Sequence, residues 1–344
     1  MRSCLGALSL AATLLAPLAA GAQEAAPRAI AERALDQVIL PGFGAFEAET
    51  AGLEAAARGC DEAAMRSAYQ ASFDAWEGVS HLRFGPTEEE ERAFAIAFWP
   101  DRKGFTARNL AGLAEAEDPV VDDPEAFGHV SIAARGLFAL DYLLYDETGL
   151  TLGAGPYRCR LLQAVSIDLH RLAAALVDRW EDPWSGWLLE AGAADNLAYP
   201  EPLSAVQEFY KALLGGVQFT RDLRLGNPLG SFDRPRPTRA EAWRSDRPLR
   251  NIRLSLDAAE RMTEAVFVPA LPPENAEAAR AAFARVRDDL SRIAPPLTEA
   301  VADPMSRFRV EALQTDYNQL YIALSMAIAP ELGVREGFNA LDGD

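Results

Sequence analysis

The stretch Arg135-Gly136-Leu137-Phe138-Ala139-Leu140-Asp141-Tyr142-Leu143-Leu144-Tyr145 predicts the middle of an apolar helix that carries two charges. An unpaired charge is costly to bury, so Arg135 and Asp141 need partners from other parts of the chain. We predict a helix over residues 127–145 around this stretch, and the segments packed on it should form the surroundings of those two charges.

The rest of the sequence predicts an all-α protein. Ala, Leu, Glu and Arg dominate, apolar residues recur at helical spacing, and no sustained alternation of β-branched residues occurs. We predict a helical stretch over 29–59, broken at 41–44, and a long helix over 155–180. The pattern favours two helical bundles of about four main helices each. The N-terminal bundle would cover 23–185 and the C-terminal bundle 186–344, with a connector near 181–200.

The first 22 residues resemble a secretory signal peptide. Arg2 provides the positive start, Leu5 to Ala19 the apolar run, and Ala20-Gly21-Ala22 a small-residue cleavage site. We therefore expect a mature chain from Gln23 in the periplasm. No second apolar run is long enough to span a bilayer, so we expect no transmembrane segment after signal removal.

The charge balance argues against nucleic-acid binding. The chain has 33 Lys and Arg against 51 Asp and Glu, a formal net charge of −18. Nucleic-acid binding requires a basic face. The acidic balance fits solubility or attraction for cations, and composition does not separate the two.

Two cysteines remain after the predicted signal is removed, Cys60 and Cys159. In an oxidising compartment an isolated pair favours a disulfide, and the spacing does not fit a zinc cluster. We predict a Cys60–Cys159 bond.

Several short segments, spread over the mature chain, together resemble the imelysin family. They are Ala75-Trp76, Phe84-Gly85-Pro86, Phe98 to Gly104, Gly136 to Tyr145, Arg224 to Gly230, Ala242 to Ser245, Leu249-Arg250-Asn251, Leu332-Gly333-Val334 and Gly337-Phe338-Asn339. The resemblance implies a periplasmic two-bundle protein with a site between its halves. Some members of this family are described as metallopeptidases and others as iron-uptake proteins.

The family's G-x-H-x-x-E motif is altered in this sequence. Phe138 stands at the histidine position and Asp141 at the glutamate position. Residues i and i+3 share a helix face and could ligate one metal ion, but a phenylalanine side chain has no lone pair to donate. The resemblance leaves iron or another divalent metal as a cofactor hypothesis, with Asp141 as its candidate ligand.

The three histidines do not replace the missing ligand. We interpret His81, His129 and His170 as structural or surface residues, and no H-E-x-x-H zinc motif occurs.

A ligand other than a metal would meet aromatic and cationic side chains between the bundles. Such a set suits a small anionic or carboxylate-bearing molecule, through arginine contacts and stacking. The alternatives are core packing for the tryptophans and ion pairing or helix capping for the polar residues. The candidate ligand-binding residues are Trp99, Asp101, Lys103, Arg135, Phe138, Asp141, Trp243, Arg244, Ser245, Arg250 and Asn251.

The sequence thus favours a non-enzymatic binding or accessory protein in the periplasm, serving iron acquisition if it follows the family. Its partner would be a small anionic or metal-containing ligand, or an envelope protein. A metallopeptidase or metal-binding protein is the first alternative. A structural, partner-binding protein with a degenerate site is the second.

Overall fold

The computed structural model describes residues 17–153 and 155–335. Its α-helices are α1 (Pro17–Ala34), α2 (Leu40–Arg58), α3 (Glu62–Glu77), α4 (Arg92–Ile96), α5 (Phe105–Ala116), α6 (Pro124–Phe127), α7 (Gly136–Tyr145), α8 (Gly155–Arg179), α9 (Ser185–Leu189), α10 (Ser204–Phe219), α11 (Gly226–Leu229), α12 (Pro248–Met262), α13 (Pro273–Ser291), α14 (Leu297–Ala300) and α15 (Pro304–Leu332). Across these residues no strand forms beyond one isolated bridge, Ser231 with Arg234, so the all-α prediction is confirmed.

Two parts of the sequence interpretation fall outside the described residues. They are most of the predicted signal peptide, residues 1–16, and the segment Gly337-Phe338-Asn339. Within the described part of the chain, no helix is both long enough and apolar enough to cross a membrane.

The first half of the chain packs around α2. This helix lies along both α3 and α8, and α7 fills the space against α3 and α8. In α2, the fully buried Phe43 contacts the ring of Trp180, and the fully buried Phe46 contacts the ring of Trp76. Large apolar side chains at helical spacing therefore build this part of the core, as the periodicity predicts.

The second half is built on the longest helix, α15. Helix α13 lies along α15, while α10 packs on α15 and α12. The first helix belongs spatially to this half as well, because α1 contacts α10 and Arg33 donates a hydrogen bond to the carbonyl of Val266 at 3.0 Å. The boundary at residue 185 remains a prediction.

Helix α7 begins later than the sequence predicts. Its first residue is Gly136, with φ +67°, and Arg135 before it has extended backbone. A Cβ on Gly136 would lie 2.2 Å from the carbonyl oxygen of Ala95. The glycine therefore permits both the positive φ and a close backbone approach. The prediction of one helix over 127–145 was wrong because short turns replace its first third.

The predicted break at 41–44 is also absent. Helix α2 runs without interruption from Leu40, with Pro41 in its first turn, where proline is tolerated. The irregularity lies just upstream, in a π-helical turn over Leu35–Ile39.

The disulfide prediction is confirmed. Cys60 and Cys159 are bonded, with their Cα atoms 5.6 Å apart, and the bond joins the end of α2 to the start of α8.

Candidate ligand site

A cavity of about 260 Å³ lies where the two halves of the chain meet beside α7. Its lining comes from the segment before and at the start of α5, from one face of α7, and from the segment that precedes α12. The lining residues are Phe98, Trp99, Pro100, Asp101, Arg102, Gly104, Thr106, Ala107, Phe138, Asp141, Asn227, Thr238, Arg239, Ala240, Ala242, Trp243 and Arg244.

Aromatic rings form the apolar part of the cavity. Trp99 stacks on Phe138, with ring centroids 6.5 Å apart and an interplanar angle of 14°. Trp99 also meets the edge of Phe219, which holds the indole against the second half of the chain. Phe138, at the position of the family histidine, is therefore a wall of the cavity, and a flat apolar group could pack on the rings.

Asp141 is the buried carboxylate of this cavity. Its Oδ1 accepts hydrogen bonds from Ser245 Oγ at 2.5 Å and from Tyr69 Oη at 3.1 Å. Its Oδ2 accepts no hydrogen bond from any residue that the structure describes, and it lies 3.8 Å from Arg244 Nη1. Burial raises the pKa of Asp141, while Ser245, Arg244 and Tyr69 act in the opposite direction. One buried oxygen thus remains open to a donor.

The Arg244 guanidinium is held in place from three sides. Its Nε donates to Asp146 at 2.6 Å, and its Cζ lies 4.8 Å from the Trp243 ring centroid and 5.3 Å from that of Tyr142. These contacts limit how far Arg244 can turn toward Asp141.

The Asp101 carboxylate is already hydrogen-bonded to the protein backbone. Its carboxylate accepts hydrogen bonds from the backbone amides of Phe105 at 2.9 Å and Thr106 at 2.8 Å, at the start of α5. Burial raises the pKa of Asp101, but these backbone hydrogen bonds outweigh it, and the net shift is downward. Asp101 thus shapes the cavity wall by capping a helix.

Two arginines at the cavity have no anionic partner among the residues that the structure describes. Arg102 and Arg239 are exposed, and among residues 17–153 and 155–335 neither side chain has a hydrogen bond or ion pair. Arg102 comes from the first half and Arg239 from the second. Both remain available to an anion that enters the cavity.

The structure brings six of the candidate residues to this cavity: Trp99, Asp101, Phe138, Asp141, Trp243 and Arg244. Ser245 lies directly behind it, hydrogen-bonded to Asp141. Whether any of them binds a ligand remains a prediction.

The other four candidates lie elsewhere. Arg135 makes two 2.8 Å bonds with Asp168, Arg250 pairs with Asp74, and Asn251 donates to buried Glu241 at 2.9 Å. Lys103 is exposed near the Phe105 ring and does not line the cavity. Ligand binding by these four residues remains a prediction.

The sequence interpretation did not single out Arg102, Arg239, Asn227 and Tyr69. Arg102 stood inside the quoted segment Phe98 to Gly104, so its signal was present. No sequence signal pointed to Arg239 or Tyr69. Only the tertiary fold brings Tyr69 to Asp141 and Arg239 to the same cavity.

The donor groups around Asp141 do not fit a metal ion. The described part of the chain contains no group of three or more His, Cys, Asp or Glu side chains that could hold one. His81 is buried, neither ring nitrogen has a hydrogen bond to a residue within 17–153 or 155–335, and burial lowers its pKa to about 3. His170 lies 3.4 Å from Thr50, in the first half. Metal binding by Asp141 remains a prediction that this geometry does not favour.

Comparison with known proteins gives the family. The imelysin model, named peptidase M75, matches residues 39–324. The chain belongs to the imelysin family. Its residue 138 thus places a phenylalanine ring in the cavity of an imelysin-family fold.

Two solved structures share this imelysin fold. An imelysin-like protein from Psychrobacter arcticum 273-4 has a TM-score of 0.75 and 17% identity, covering 92% of this chain and 98% of that one. A protein from Parabacteroides distasonis ATCC 8503, provisionally named an iron-regulated protein A precursor, has a TM-score of 0.69 and 13% identity. That comparison covers 88% of this chain and 95% of the other. A search of curated proteins gave no significant match.

Proposed function

We propose that this imelysin-family chain is a periplasmic binding or accessory protein that holds a small anionic ligand between its two halves. Phe138 and Asp141 replace the metal-binding pair of the family motif, so the proposed activity is binding rather than metal-dependent peptide hydrolysis. The cellular setting we propose is iron acquisition, by analogy with the relative named as iron-regulated.

The observation that carries this proposal is the pair Arg102 and Arg239. A guanidinium without a carboxylate partner is a ready donor to a ligand carboxylate, and these two come from opposite halves to one cavity. A ligand bridging them would favour the arrangement of the two halves seen here. The rings of Trp99, Phe138 and Trp243 offer its apolar part a surface for packing.

Calorimetry on the purified chain from Gln23 onward tests this proposal. We expect 3-phenylpropanoate, a carboxylate with one ring, to bind, and Arg239→Gln and Arg102→Gln each to weaken it about tenfold, because each removes one charge-assisted hydrogen bond.

Arg58→Gln is the matched control, since Arg58 is an exposed arginine of α2 whose ion pair is with Glu54, four residues away. Equal affinities for wild type and both cavity variants would contradict the proposal. The iron setting is tested separately by transcript levels in iron-limited and iron-replete cells, and unchanged levels would exclude it.

A further inference from the structure

We infer that the ligand of this cavity is zwitterionic, with a carboxylate toward Arg102 and Arg239 and a protonated amine toward Asp141. This inference rests on the proposed function and narrows its ligand class to the chemistry of a free amino acid.

The charges of the cavity are separated by depth. Arg102 and Arg239 are exposed and have no ion-pair partner in the part of the chain that the structure describes, whereas the Asp141 side chain is 1% exposed. The Arg244 guanidinium lies 3.8 Å from Asp141 and pairs more closely with Asp146, at 2.6 Å. Two carboxylates therefore face one guanidinium. Asp101 also lines the cavity, but its carboxylate accepts hydrogen bonds from the backbone amides of Phe105 and Thr106. The two arginines therefore make the outer part positive and Asp141 makes the inner part negative, and a ligand with opposite charges at its ends matches both.

The Oδ2 atom of Asp141 gives the inner part its specificity. Oδ1 already accepts two hydroxyl hydrogen bonds, while Oδ2 is buried, accepts none from the residues that the structure describes, and lies 3.8 Å from Arg244 Nη1. A buried acceptor without a hydrogen-bond donor is destabilising, because it has given up its hydrogen bonds to water. An ammonium group supplies a charge-assisted donor to that oxygen, and a simple anion supplies none.

The volume of the cavity limits the size of the ligand. At about 260 Å³ it lies below the range of roughly 300–1,000 Å³ that is usual for drug-sized ligands. One ring or branched apolar group with its two charged ends suits this space and the aromatic wall. A peptide chain does not suit a space of this size.

Four probes separate the charges in a calorimetric experiment on the wild-type chain. Phenylalanine and leucine carry both charges, 3-phenylpropanoate only the carboxylate, and 2-phenylethylamine only the amine. We expect phenylalanine to bind about tenfold or more tightly than both single-charge analogues.

Asp141→Asn then tests the position of the amine. Asparagine keeps an oxygen that accepts from Ser245 and Tyr69 but loses the charge. We expect this variant to abolish the advantage of phenylalanine over 3-phenylpropanoate and to leave the affinity for 3-phenylpropanoate within about twofold. Should the variant not fold, the wild-type probe series still decides.

The failures of the two proposals are distinguishable. Equal binding of 3-phenylpropanoate and phenylalanine would overturn the zwitterion inference and leave the anion-binding proposal standing. Binding of 2-phenylethylamine alone would overturn both. Absence of binding by phenylalanine and leucine, with 3-phenylpropanoate bound, would reject the zwitterion, and no binding by any probe would reject both.

Discussion

The Arg224 guanidinium joins the two halves of the chain by donating from Nη2 to Glu77 Oε2 at 2.6 Å. Its Nε donates to Glu241 Oε2 at 2.7 Å, so one buried arginine serves two buried glutamate side chains. Glu77 ends α3, whereas Arg224 and Glu241 flank α11 in the second half. This contact fixes the second half against the helix that also carries Tyr69, the partner of Asp141.

The pH dependence of stability should report on this contact. Burial raises the pKa of Glu77 from 4.5 to about 8, with Arg224 opposing the shift. A carboxyl whose folded pKa exceeds its unfolded pKa binds a proton more tightly when folded. The stabilising contribution of protonated Glu77 is therefore present below about pH 4.5 and is lost as the pH rises toward 8.

We expect the free energy of unfolding to fall over this window by up to about 1.4 kcal/mol per pH unit. Urea denaturation at a series of pH values measures the slope. Glu77→Gln should flatten it, whereas Glu264→Gln, at an exposed pair with Arg280, should not. The same slope in wild type and Glu77→Gln would exclude Glu77 as its source.

Gly136→Ala should destabilise the fold severely. The new Cβ would meet the Ala95 backbone oxygen at 2.2 Å in a position with φ +67°, so α4, α7 or both must move. We expect a loss of several kcal/mol, or an insoluble protein. Gly112→Ala is the control because nothing lies within 4 Å of its Cβ position inside α5. It should stabilise the chain by about 0.5–1 kcal/mol in thermal melts.

Removing the disulfide should lower stability without changing the fold. Cys60 and Cys159 close a loop with a sequence separation of 99, for which chain entropy gives about 4–5 kcal/mol. Cys60→Ser with Cys159→Ser should lower the urea midpoint while the helical circular dichroism signal persists. Free thiols at Cys60 and Cys159, detected by alkylation of the non-reduced wild type, would refute the bond itself.

Ser245 and Asp141 should be energetically coupled. Ser245→Ala removes one of the two hydroxyl donors to Oδ1, at a cost of about 1–3 kcal/mol if the carboxylate stays buried. A double-mutant cycle with Asp141→Asn should give a coupling energy above about 0.5 kcal/mol. Additive effects would mean that this hydrogen bond contributes little to stability.

Much of the fold followed from local patterns. Apolar spacing and the lack of strand signals predicted an all-α chain, and the two cysteines outside the predicted signal peptide allowed a single pairing. The start of α7 did not follow, since helical propensity over 127–135 says nothing about the approach of the Ala95 carbonyl to Gly136. That approach involves residues some forty positions apart in the chain.

The candidate site shows the same division for a physical reason. The sequence by itself determined that Phe138 stands where a metal-binding histidine is expected, because residue identity fixes whether a lone pair is present. Only the tertiary structure decided that Arg135 is neutralised by Asp168, while Arg102 and Arg239 line the same cavity as Asp141 without an ion-pair partner among the described residues. Ion pairing depends on distances across the fold, and local sequence does not encode those distances.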